Sequence, residues 1–437
     1  MSVFKKPTYI ISMVILCSLF FIFGFVSWVN AILIPYFKIA CELTHTQAYF
    51  VAFAFYIAYF VMAIPASKLL NRFGFKKGML IGLAMMSLGT LIFVPAAYTR
   101  TYGIFLFGLF CIGTGLAILQ TAANPYVTII GPIESAAKRI SIVGLCNKFA
   151  GIISPLIFAA VILQASDGEM FQQLKDGVIM GAERELVLDE LIQRVMVPYA
   201  FLSALLLIFG FLIRYSPLPE INTREQNKSA DASSNERSSI FQYPYLILGV
   251  LAIFFHVGAQ VISIDTIINY AGTMGIELTA AKVFPSYTMS CTLVGYFIGI
   301  VLIPKILSQK RALQIATSLG LILSIGVIYI SGNIELFSHK TDISIWFLVL
   351  MGMPNALIYA GIWPLAIRNL GKFTNLGSSL LVMALCGNAF LPVIYGSFAD
   401  SYGERLSYWV LVPCFLYLIF YAFKGHKIEH WKKSPVL

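Results

Sequence analysis

Charged residues are scarce in this chain, and their scarcity excludes most soluble folds. Asp, Glu, Lys and Arg make up 11% of the 437 residues, whereas hydrophobic residues make up 59%. A soluble domain carries about 25% charged residues. Because the apolar residues fall into long runs that water would not tolerate, the composition predicts an integral membrane protein.

Disulfide and metal-binding patterns are also missing. The seven cysteines show no Cys-x-x-Cys spacing and no cluster with histidine. Six of them lie in apolar runs, where cysteine behaves as a small hydrophobic residue: Cys17, Cys111, Cys146, Cys291, Cys386 and Cys414. The sequence therefore predicts neither a disulfide framework nor a metal site, and no metal or organic cofactor is expected.

The net charge of +10 would suit a nucleic-acid partner, but the distribution of the charge argues against one. With the N-terminus in the cytoplasm, 21 of the 30 Lys and Arg residues fall in cytoplasmic loops and 8 in outer loops, while Lys148 falls inside a predicted helix. This asymmetry follows the positive-inside rule. It predicts cytoplasmic N- and C-termini, an even number of spans and no nucleic-acid partner.

Twelve apolar runs reach the length of about 20 residues that a bilayer core requires. The predicted helices are 9–37, 48–70, 78–98, 103–131, 139–164, 197–215, 244–271, 284–305, 312–331, 344–369, 375–399 and 409–424. The first run follows Lys5 and Lys6 and is too long for a signal-peptide core, so we interpret it as a retained helix.

A polar stretch between the sixth and seventh helices divides the chain. We predict an N-terminal bundle within residues 1–215, a cytoplasmic linker at 216–243 and a C-terminal bundle within 244–437. The first and seventh helices end in similar segments, Asn30–Tyr36 and Ile264–Tyr270. The predicted fold class is an all-α membrane protein of two pseudo-symmetric six-helix bundles, typical of transporters whose halves rock about a midplane site.

The longest predicted outer loop runs from Gln164 to about Val197. Apolar residues recur at helical spacing within 182–192, and we interpret this segment as a short surface helix over the outer mouth. The loop carries acidic residues but no metal-binding or catalytic motif. This argues against an enzyme embedded in the membrane, such as a lipid-linked glycosyl transferase.

The loop between the second and third helices resembles the Gly-x-Leu-x-Asp-Arg-x-Gly-Arg-Lys signature of the major facilitator superfamily. Here it reads Ser67-Lys68-Leu69-Leu70-Asn71-Arg72-Phe73-Gly74-Phe75-Lys76-Lys77. The resemblance implies a gating loop in which Arg72, Gly74, Lys76 and Lys77 latch the cytoplasmic side. Ser67 and Asn71 depart from the signature, and Asn71 removes one charge pair from the latch.

Three further segments are similar to the fucose:proton symporter family, which includes glucose/galactose and N-acetylglucosamine transporters. They are Gln120-Thr121-Ala122-Ala123-Asn124-Pro125-Tyr126-Val127 in helix four, Trp28-Val29-Asn30-Ala31-Ile32-Leu33-Ile34-Pro35 in helix one and Gly377-Ser378-Ser379-Leu380-Leu381-Val382-Met383-Ala384 in helix eleven. The resemblance runs over the whole chain. It implies sugar transport by alternating access, carried out by a monomer in the bilayer of the cell inner membrane.

Two substitutions within these segments bear on the substrate. The fucose branch has carboxylates where this chain has Ala31 and Gln120, and Gln120 matches the glucose/galactose branch. The resemblance therefore implies import of a neutral hexose, glucose or galactose before fucose. A symporter for fucose or N-acetylglucosamine and a facilitator without ion coupling are the alternatives.

A sugar site needs amides that both donate and accept hydrogen bonds, together with an aromatic wall. The candidate substrate-binding residues are Asn30, Gln120, Asn124, Asn147, Gln260, Asn355, Trp363 and Asn388, with Asn269 as a further intramembrane amide and Tyr59 and Tyr359 as further candidate stacking partners. The alternative is that such amides join helices in lipid. For Tyr59 and Trp363 it is packing or a place in the interfacial belt.

Charges inside predicted spans are expensive in lipid and are seldom kept without a use. The candidates are Asp265 and Lys148, with His256 as a titratable neighbour. We expect Asp265 and Lys148 to face one space and to couple transport to H⁺ or Na⁺. The alternatives are a helix-end cap for Asp265, a snorkelling side chain for Lys148 and a packing role for His256.

Overall fold

The computed structural model describes residues 6–130, 136–164, 166–218, 239–303, 306–370 and 373–431. Within these ranges, twelve helical segments are long and apolar enough to cross a membrane, which confirms the predicted twelve-span architecture. We number them TM1 to TM12 in chain order.

The first six spans are TM1 (helices Lys6–Trp28 and Asn30–Ala40), TM2 (His45–Phe73), TM3 (Phe75–Tyr98), TM4 (Tyr102–Ile129), TM5 (Ala136–Ile162) and TM6 (Met196–Tyr215). The second six are TM7 (Pro244–Asp265 and Ile267–Thr273), TM8 (Phe284–Leu302), TM9 (Gln309–Tyr329), TM10 (Ser344–Leu350 and Gly352–Ile367), TM11 (Thr374–Met383 and Gly387–Tyr402) and TM12 (Leu411–Phe423, after Glu404–Ser407). Predicted and observed ends agree to within three residues.

Local signals explain where TM2 begins and ends. The Thr44 hydroxyl accepts a hydrogen bond from the Gln47 backbone N–H at 3.2 Å, and the Gln47 side chain accepts one from the Thr44 N–H at 3.0 Å. This capping box satisfies amides that have no partner within the helix. The helix ends at Gly74, whose φ of +78° is a conformation that favours glycine.

Short elements cover the end of the bundle at which TM1 ends and TM2 begins, which we call the loop 1–2 end. The predicted surface helix is present as Gly181–Gln193, and the Tyr36 hydroxyl at the end of TM1 donates to its Leu191 carbonyl. A second surface helix, Asp167–Lys175, and a hairpin of β1 (Asn333–Leu336) and β2 (His339–Asp342) were not predicted.

The hairpin escaped prediction because its turn lacks the usual residues. Phe337 and Ser338 occupy positive φ, +49° and +64°, where a two-residue turn usually has Asn and Gly. At the open end of the hairpin, burial raises the pKa of Asp342, but hydrogen bonds from Ser344 and the Gly332 N–H, with the charge of Arg405, bring that pKa below its ordinary value.

One predicted loop charge is buried instead. Arg139, counted among the cytoplasmic loop residues, lies inside TM5 with 1% of its surface exposed. Its Nε donates to the Val127 carbonyl near the end of TM4 at 2.8 Å. The last carbonyls of a helix lack partners within the helix, and a guanidinium supplies one.

The limits of the two halves stay predictions. TM6 ends at Tyr215 and TM7 begins at Pro244, but residues 219–238 of the predicted 216–243 linker lie outside the described residues. Contacts join TM1–TM6 to TM7–TM12: the Phe53 and Phe390 rings of TM2 and TM11 lie 5.5 Å apart.

Close helix crossings recur at equivalent places in the two sets of helices. A Cβ at Gly113 of TM4 would collide with the Phe55 carbonyl of TM2, and a Cβ at Gly352 of TM10 would collide with the Thr288 carbonyl of TM8. Small residues let helix backbones approach in lipid. The repeated pair, TM4 on TM2 and TM10 on TM8, matches the pseudo-symmetry of the fold.

We predict that Gly113→Ala destabilises the protein, whereas Gly103→Ala on the same helix does not, because a Cβ at Gly103 meets no atom within 4 Å. Overpacking costs about 1–3 kcal/mol, while the better helix propensity of alanine returns up to about 1 kcal/mol. Thermal unfolding of both purified variants in detergent measures the difference. Equal midpoints would show that the TM2–TM4 crossing tolerates a wider separation.

Candidate functional site

TM1 and TM7 are both interrupted, and a predicted site residue lies at each break. TM1 breaks at Val29, immediately before Asn30, and TM7 breaks at Thr266, immediately after Asp265. Interrupted helices at membrane depth are tolerated only where protein or a water-filled cavity surrounds them, and in transporters they build the midplane site.

The polar groups at the two breaks have no protein partner. Asn30 and Asp265 are 0% exposed, and neither the amide of Asn30 nor the carboxyl of Asp265 makes a hydrogen bond. A buried polar group without a partner costs about 1–3 kcal/mol, so such groups are rarely kept without a use. These two residues are therefore the strongest site candidates in the described chain.

Gln120 contacts an aromatic pair from TM2. Its Nε2 donates to the Tyr59 hydroxyl at 2.9 Å, and the Tyr59 ring stacks on Tyr56 with centroids 6.2 Å apart. The Gln120 side chain is half-buried, while both tyrosines are buried. A neutral amide beside a hydroxyl can both donate and accept hydrogen bonds, and the ring faces offer an apolar wall.

Lys148 lies at the centre of a group we call the central cluster, formed by Trp28, Lys148, His256, Tyr359 and Trp363. The Lys148 Nζ is 4.6 Å from the centroid of the Trp28 ring, a cation–π contact that compensates in part for burial. The His256 imidazole, which belongs to the other set of six helices, lies near this ammonium.

The far side of the central cluster is aromatic. The centroid of the His256 ring lies 6.4 Å from that of the Tyr359 ring, and the Tyr359 centroid lies 5.6 Å from that of the Trp363 ring. His256 is 0% exposed and neither ring nitrogen has a hydrogen-bond partner. The cluster includes residues of TM1, TM5, TM7 and TM10. Relative motion of the two halves would therefore change its contacts.

The remaining amide candidates are more dispersed. Asn147 donates to the Phe20 carbonyl at 3.1 Å, joining TM5 to TM1, which is the helix-joining alternative. Asn355 donates to Ser263 at 3.4 Å, and its Oδ1 and that of Asn388 have no partner. Gln260 is half-buried. Further residues are Asn269, which donates to Tyr49, and Asn124, whose side chain lies outside the described part of the structure.

Asp265 and Lys148 form no ion pair with each other in the described structure. Asp265 instead lies near Tyr49 and Tyr56 of TM2. The expectation that the two charges meet in one conformation stays a prediction, and in this conformation they are apart.

The predicted gating loop consists of the end of TM2, Gly74 and the start of TM3. Lys76 donates to the Ser216 carbonyl at 2.7 Å and so ties the loop to the end of TM6. The Arg72 guanidinium lies 5.4 Å from the Phe73 ring, and Lys77 is exposed. The side chains of Ser67 and Asn71 are not described, and the gating role stays a prediction.

Sequence reasoning missed two groups around the site. Trp28 was noticed only as part of a motif, although its ring contacts Lys148. Tyr56 was missed as well, because an aromatic residue in an apolar run carries no signal of which face it occupies. In the described chain, no three His, Cys, Asp or Glu residues are grouped as metal ligands.

Comparisons with known proteins identify relatives over almost the whole chain. The Major Facilitator Superfamily domain matches residues 16–385. A glucose/galactose transporter of Brucella abortus is 30% identical over 426 residues, which cover 97% of this chain and 96% of the relative. The L-fucose-proton symporter of Escherichia coli K12 is 30% identical over 425 residues, covering 96% and 93%.

Solved structures agree with these relatives. The crystal structure of the superfamily transporter FucP in the outward conformation has a TM-score of 0.69 and 30% identity, and the match covers 95% of this chain and 98% of that one. The crystal structure of a D-xylose-proton symporter has a TM-score of 0.67 at 13% identity and shares the fold.

We predict that Asp265→Leu raises the thermal unfolding midpoint, because it removes a buried carboxyl without a partner and leaves a side chain of similar volume. The expected gain is about 1–3 kcal/mol. The adjacent Thr266→Val should lower the midpoint, since the Thr266 hydroxyl is bonded to the Tyr408 hydroxyl at 2.7 Å. A lower midpoint for Asp265→Leu would contradict the view that this carboxyl is kept for function.

Proposed function

The chain belongs to the major facilitator superfamily and, within it, to the family of glucose/galactose transporters and L-fucose–proton symporters, and on that premise we propose that it imports a neutral hexose by alternating access. The Gln120–Tyr59 hydrogen bond, with Tyr56 stacked beside it, carries the proposal. A hexose presents hydroxyls that donate and accept and an apolar ring face, and this group offers the complement of both.

The central cluster supports a site shared by the two halves. Asn30 lies in TM1 and His256 in TM7, and both have polar atoms free of protein partners. Tyr359 and Trp363 of TM10 supply aromatic faces from the second set of helices, and Gln120 of TM4 supplies an amide from the first. A ligand that bridges these helices would be held from both halves, as alternating access requires.

The orientation follows from the charges of the loops. The Lys and Arg bias supports an orientation with the loop 1–2 end outside and both termini in the cytoplasm. A monomer in the cell inner membrane is part of the same proposal. In the described conformation the outer ends of TM2 and TM11 are in contact: Asp400 of TM11 accepts hydrogen bonds from His45 and Thr46 of TM2.

Coupling to H⁺ or Na⁺ centres on Asp265. Its buried carboxyl has no partner in this conformation, and it takes the place, in the pseudo-symmetric helix, of the carboxylate missing at Ala31. A group whose charge and contacts change between two states biases the equilibrium between them. An uncoupled facilitator, in which Lys148 serves as a fixed cation, is the second candidate.

Counterflow in proteoliposomes tests the substrate. We expect labelled glucose or galactose to exchange faster than fucose or N-acetylglucosamine, because Gln120 keeps the site neutral. Exchange of fucose alone would refute the hexose assignment, and exchange of N-acetylglucosamine alone would point to the amino-sugar branch.

Gln120→Ala should weaken sugar binding about ten-fold or more, because loss of one partner leaves a sugar hydroxyl unpaired at a cost of about 1–3 kcal/mol. Equilibrium binding of the labelled hexose to purified protein measures it. Gln172→Ala is the matched control, since Gln172 is exposed on the surface helix Asp167–Lys175. Equal affinities of the two variants for the hexose would show that Gln120 does not contribute to sugar binding.

Asp265→Asn should abolish gradient-driven accumulation and spare counterflow, because exchange needs the sugar site but no net ion movement. Uptake under an imposed proton or sodium gradient, compared with counterflow in the same vesicles, separates the two activities. Unimpaired accumulation would rule out Asp265 as the coupling residue. A wild-type protein that never accumulates sugar under either gradient would favour the facilitator.

A further inference from the structure

A lysine lies near the middle of TM5, far from both ends of the helix. Lys148 is 12 residues after the start of TM5 at Ala136 and 14 residues before its end at Ile162. At the rise of an α-helix these separations are about 18 Å and about 21 Å along the axis, longer than a lysine side chain. Lys148 therefore cannot bring its ammonium to either end of TM5 by snorkelling, and the residue is only 9% exposed.

The charge of this ammonium is not neutralised by a protein carboxylate. Within the described part of the chain, Lys148 takes part in no ion pair. Asp265, the other charged candidate inside the spans, lies near Tyr49 and Tyr56 of TM2 instead. A buried charge is costly unless it is paired, and the Trp28 ring at 4.6 Å compensates only in part. The arrangement suits a ligand that supplies the missing negative charge.

The packing of TM5 on TM1 fixes the ammonium and the indole beside each other. A Cβ at Gly151, one turn after Lys148, would lie 2.7 Å from the Trp28 ring, so glycine leaves room for the indole at this place. A Cβ at Gly24 of TM1 would collide with the carbonyl of Asn147. The two helix backbones are thus in contact on either side of Lys148, and the pair is in position before a ligand binds.

A second hydrogen-bond donor comes from the other half of the molecule. His256 of TM7 is 0% exposed and lies near Lys148, and neither of its ring nitrogens has a hydrogen-bond partner. A neutral imidazole has one N–H to donate, and an ammonium has three. Donors from both halves therefore lie near each other without a protein acceptor, and charge-assisted hydrogen bonds favour an acceptor that carries negative charge.

These donors border the groups proposed to bind the hexose. The centroid of the Tyr359 ring lies 6.4 Å from that of the His256 ring, and Tyr359 also lies near Tyr59. The Tyr59 hydroxyl accepts the hydrogen bond from Gln120. Because Gln120 is neutral, it does not repel an anion. A ligand that reaches both regions needs hydroxyls on one part and a negative charge on another.

We propose that Lys148, His256 and Trp28 form an anion subsite, and that it binds the carboxylate of a hexuronate, a hexose whose terminal hydroxymethyl group is replaced by a carboxylate. The carboxylate accepts hydrogen bonds from the Lys148 ammonium and the His256 N–H. The ring hydroxyls of the same sugar bind Gln120 and its tyrosine partner. The protein then transports acidic as well as neutral sugars.

The charge of the subsite favours a carboxylate over a phosphate ester. The subsite contains one ammonium, and the single negative charge of a carboxylate neutralises it. A phosphate monoester carries about −1.5 to −2 at neutral pH and would leave negative charge buried without a partner. The aromatic rings of the central cluster match the apolar face of a sugar ring, which a small inorganic anion lacks.

This inference rests on the proposed function, since it gives a sugar transporter a second class of substrate. A hexose and a hexuronate share their ring hydroxyls, so both use the same amide of TM4. A neutral hexose leaves the Lys148 ammonium without a counter-charge, whereas a hexuronate supplies one. The inference also gives Lys148 a partner other than Asp265.

Equilibrium binding to the purified full chain tests the subsite with ligands that differ by one charge. Labelled glucuronate is compared with glucuronamide, in which a neutral amide replaces the carboxylate. Wild-type protein should bind glucuronate about ten-fold or more tightly than glucuronamide, because hydrogen bonds to a charged group are stronger than those to a neutral one. Equal affinities, or glucuronate that does not bind, would overturn the proposal.

Lys148→Gln should bring the ratio of the two affinities close to one, while Lys148→Arg, which keeps the charge, should retain part of the preference. The matched control is Lys175→Gln, the same change on the exposed surface helix Asp167–Lys175, and it should keep the wild-type ratio. A wild-type ratio in Lys148→Gln would show that the carboxylate binds elsewhere and would refute the assignment. If Lys148→Gln does not fold, the wild-type comparison of the two ligands decides alone.

Acetate separates an acidic sugar from a small anion, since it has the charge without the ring. Galacturonate should displace labelled glucuronate from wild-type protein at concentrations at which acetate does not. Displacement by acetate as effective as that by galacturonate would show a site for small anions and overturn the hexuronate assignment.

Counterflow in proteoliposomes distinguishes failure of this inference from failure of the proposed function. Exchange of glucose without exchange of glucuronate would refute the second substrate class and leave hexose transport standing. Exchange of glucuronate without glucose or galactose would support the subsite and refute import of a neutral hexose. Exchange of neither class would refute both.

Discussion

Hydrocarbon offers no hydrogen bonds, so a chain inside a bilayer must satisfy its polar groups from within or keep them unsatisfied for a purpose. In the described residues, most spans meet the first condition as one continuous helix, whereas TM1, TM7, TM10 and TM11 each consist of two helices. TM1 and TM7 break beside Asn30 and Asp265, whose side chains are fully buried and without partners. Burying these few groups without partners destabilises the fold, and the packing of the remaining helices offsets that cost. This packing includes crossings such as Gly113 on Phe55, where two helix backbones are in contact.

The short helix after the break in TM7 links the two polar regions of the molecule. Asp265 ends the long helix of TM7, and Asn269, in the helix Ile267–Thr273, bonds Tyr49 in the seam between the halves. Tyr49 is itself fully buried and lies within reach of the charges of both Asp265 and Glu404. A shift of this helix would therefore alter the surroundings of the coupling candidate and of the seam between the halves at the same time, through contacts rather than at a distance.

The central cluster and the outer seam differ in how their charges are balanced. The outer seam is the contact between TM2 and TM11 at the loop 1–2 end. Basic and acidic side chains of both halves lie close together there, which suits a contact that forms and breaks: Lys38, His45, Asp400 and Glu404. At the centre, Lys148 has an aromatic ring as its neighbour and no carboxylate in ion-pair contact. An uncompensated charge beside polar groups without partners suits a place where a ligand completes the set of contacts.

The twelve spans could be predicted from the sequence, because each is a local run long enough for the bilayer, and the observed helix ends lie within three residues of the predicted ones. Its motifs determined the family as well. Which polar residues contact one another depends on how the helices pack in three dimensions. Gln120 and Tyr59 are 61 positions apart, and Asp400 caps TM2 from 354 positions beyond Thr46. In an apolar run every face of a helix looks alike, so the periodicity that reveals a buried face in water is absent, and contacts between distant helices follow only from how those helices pack.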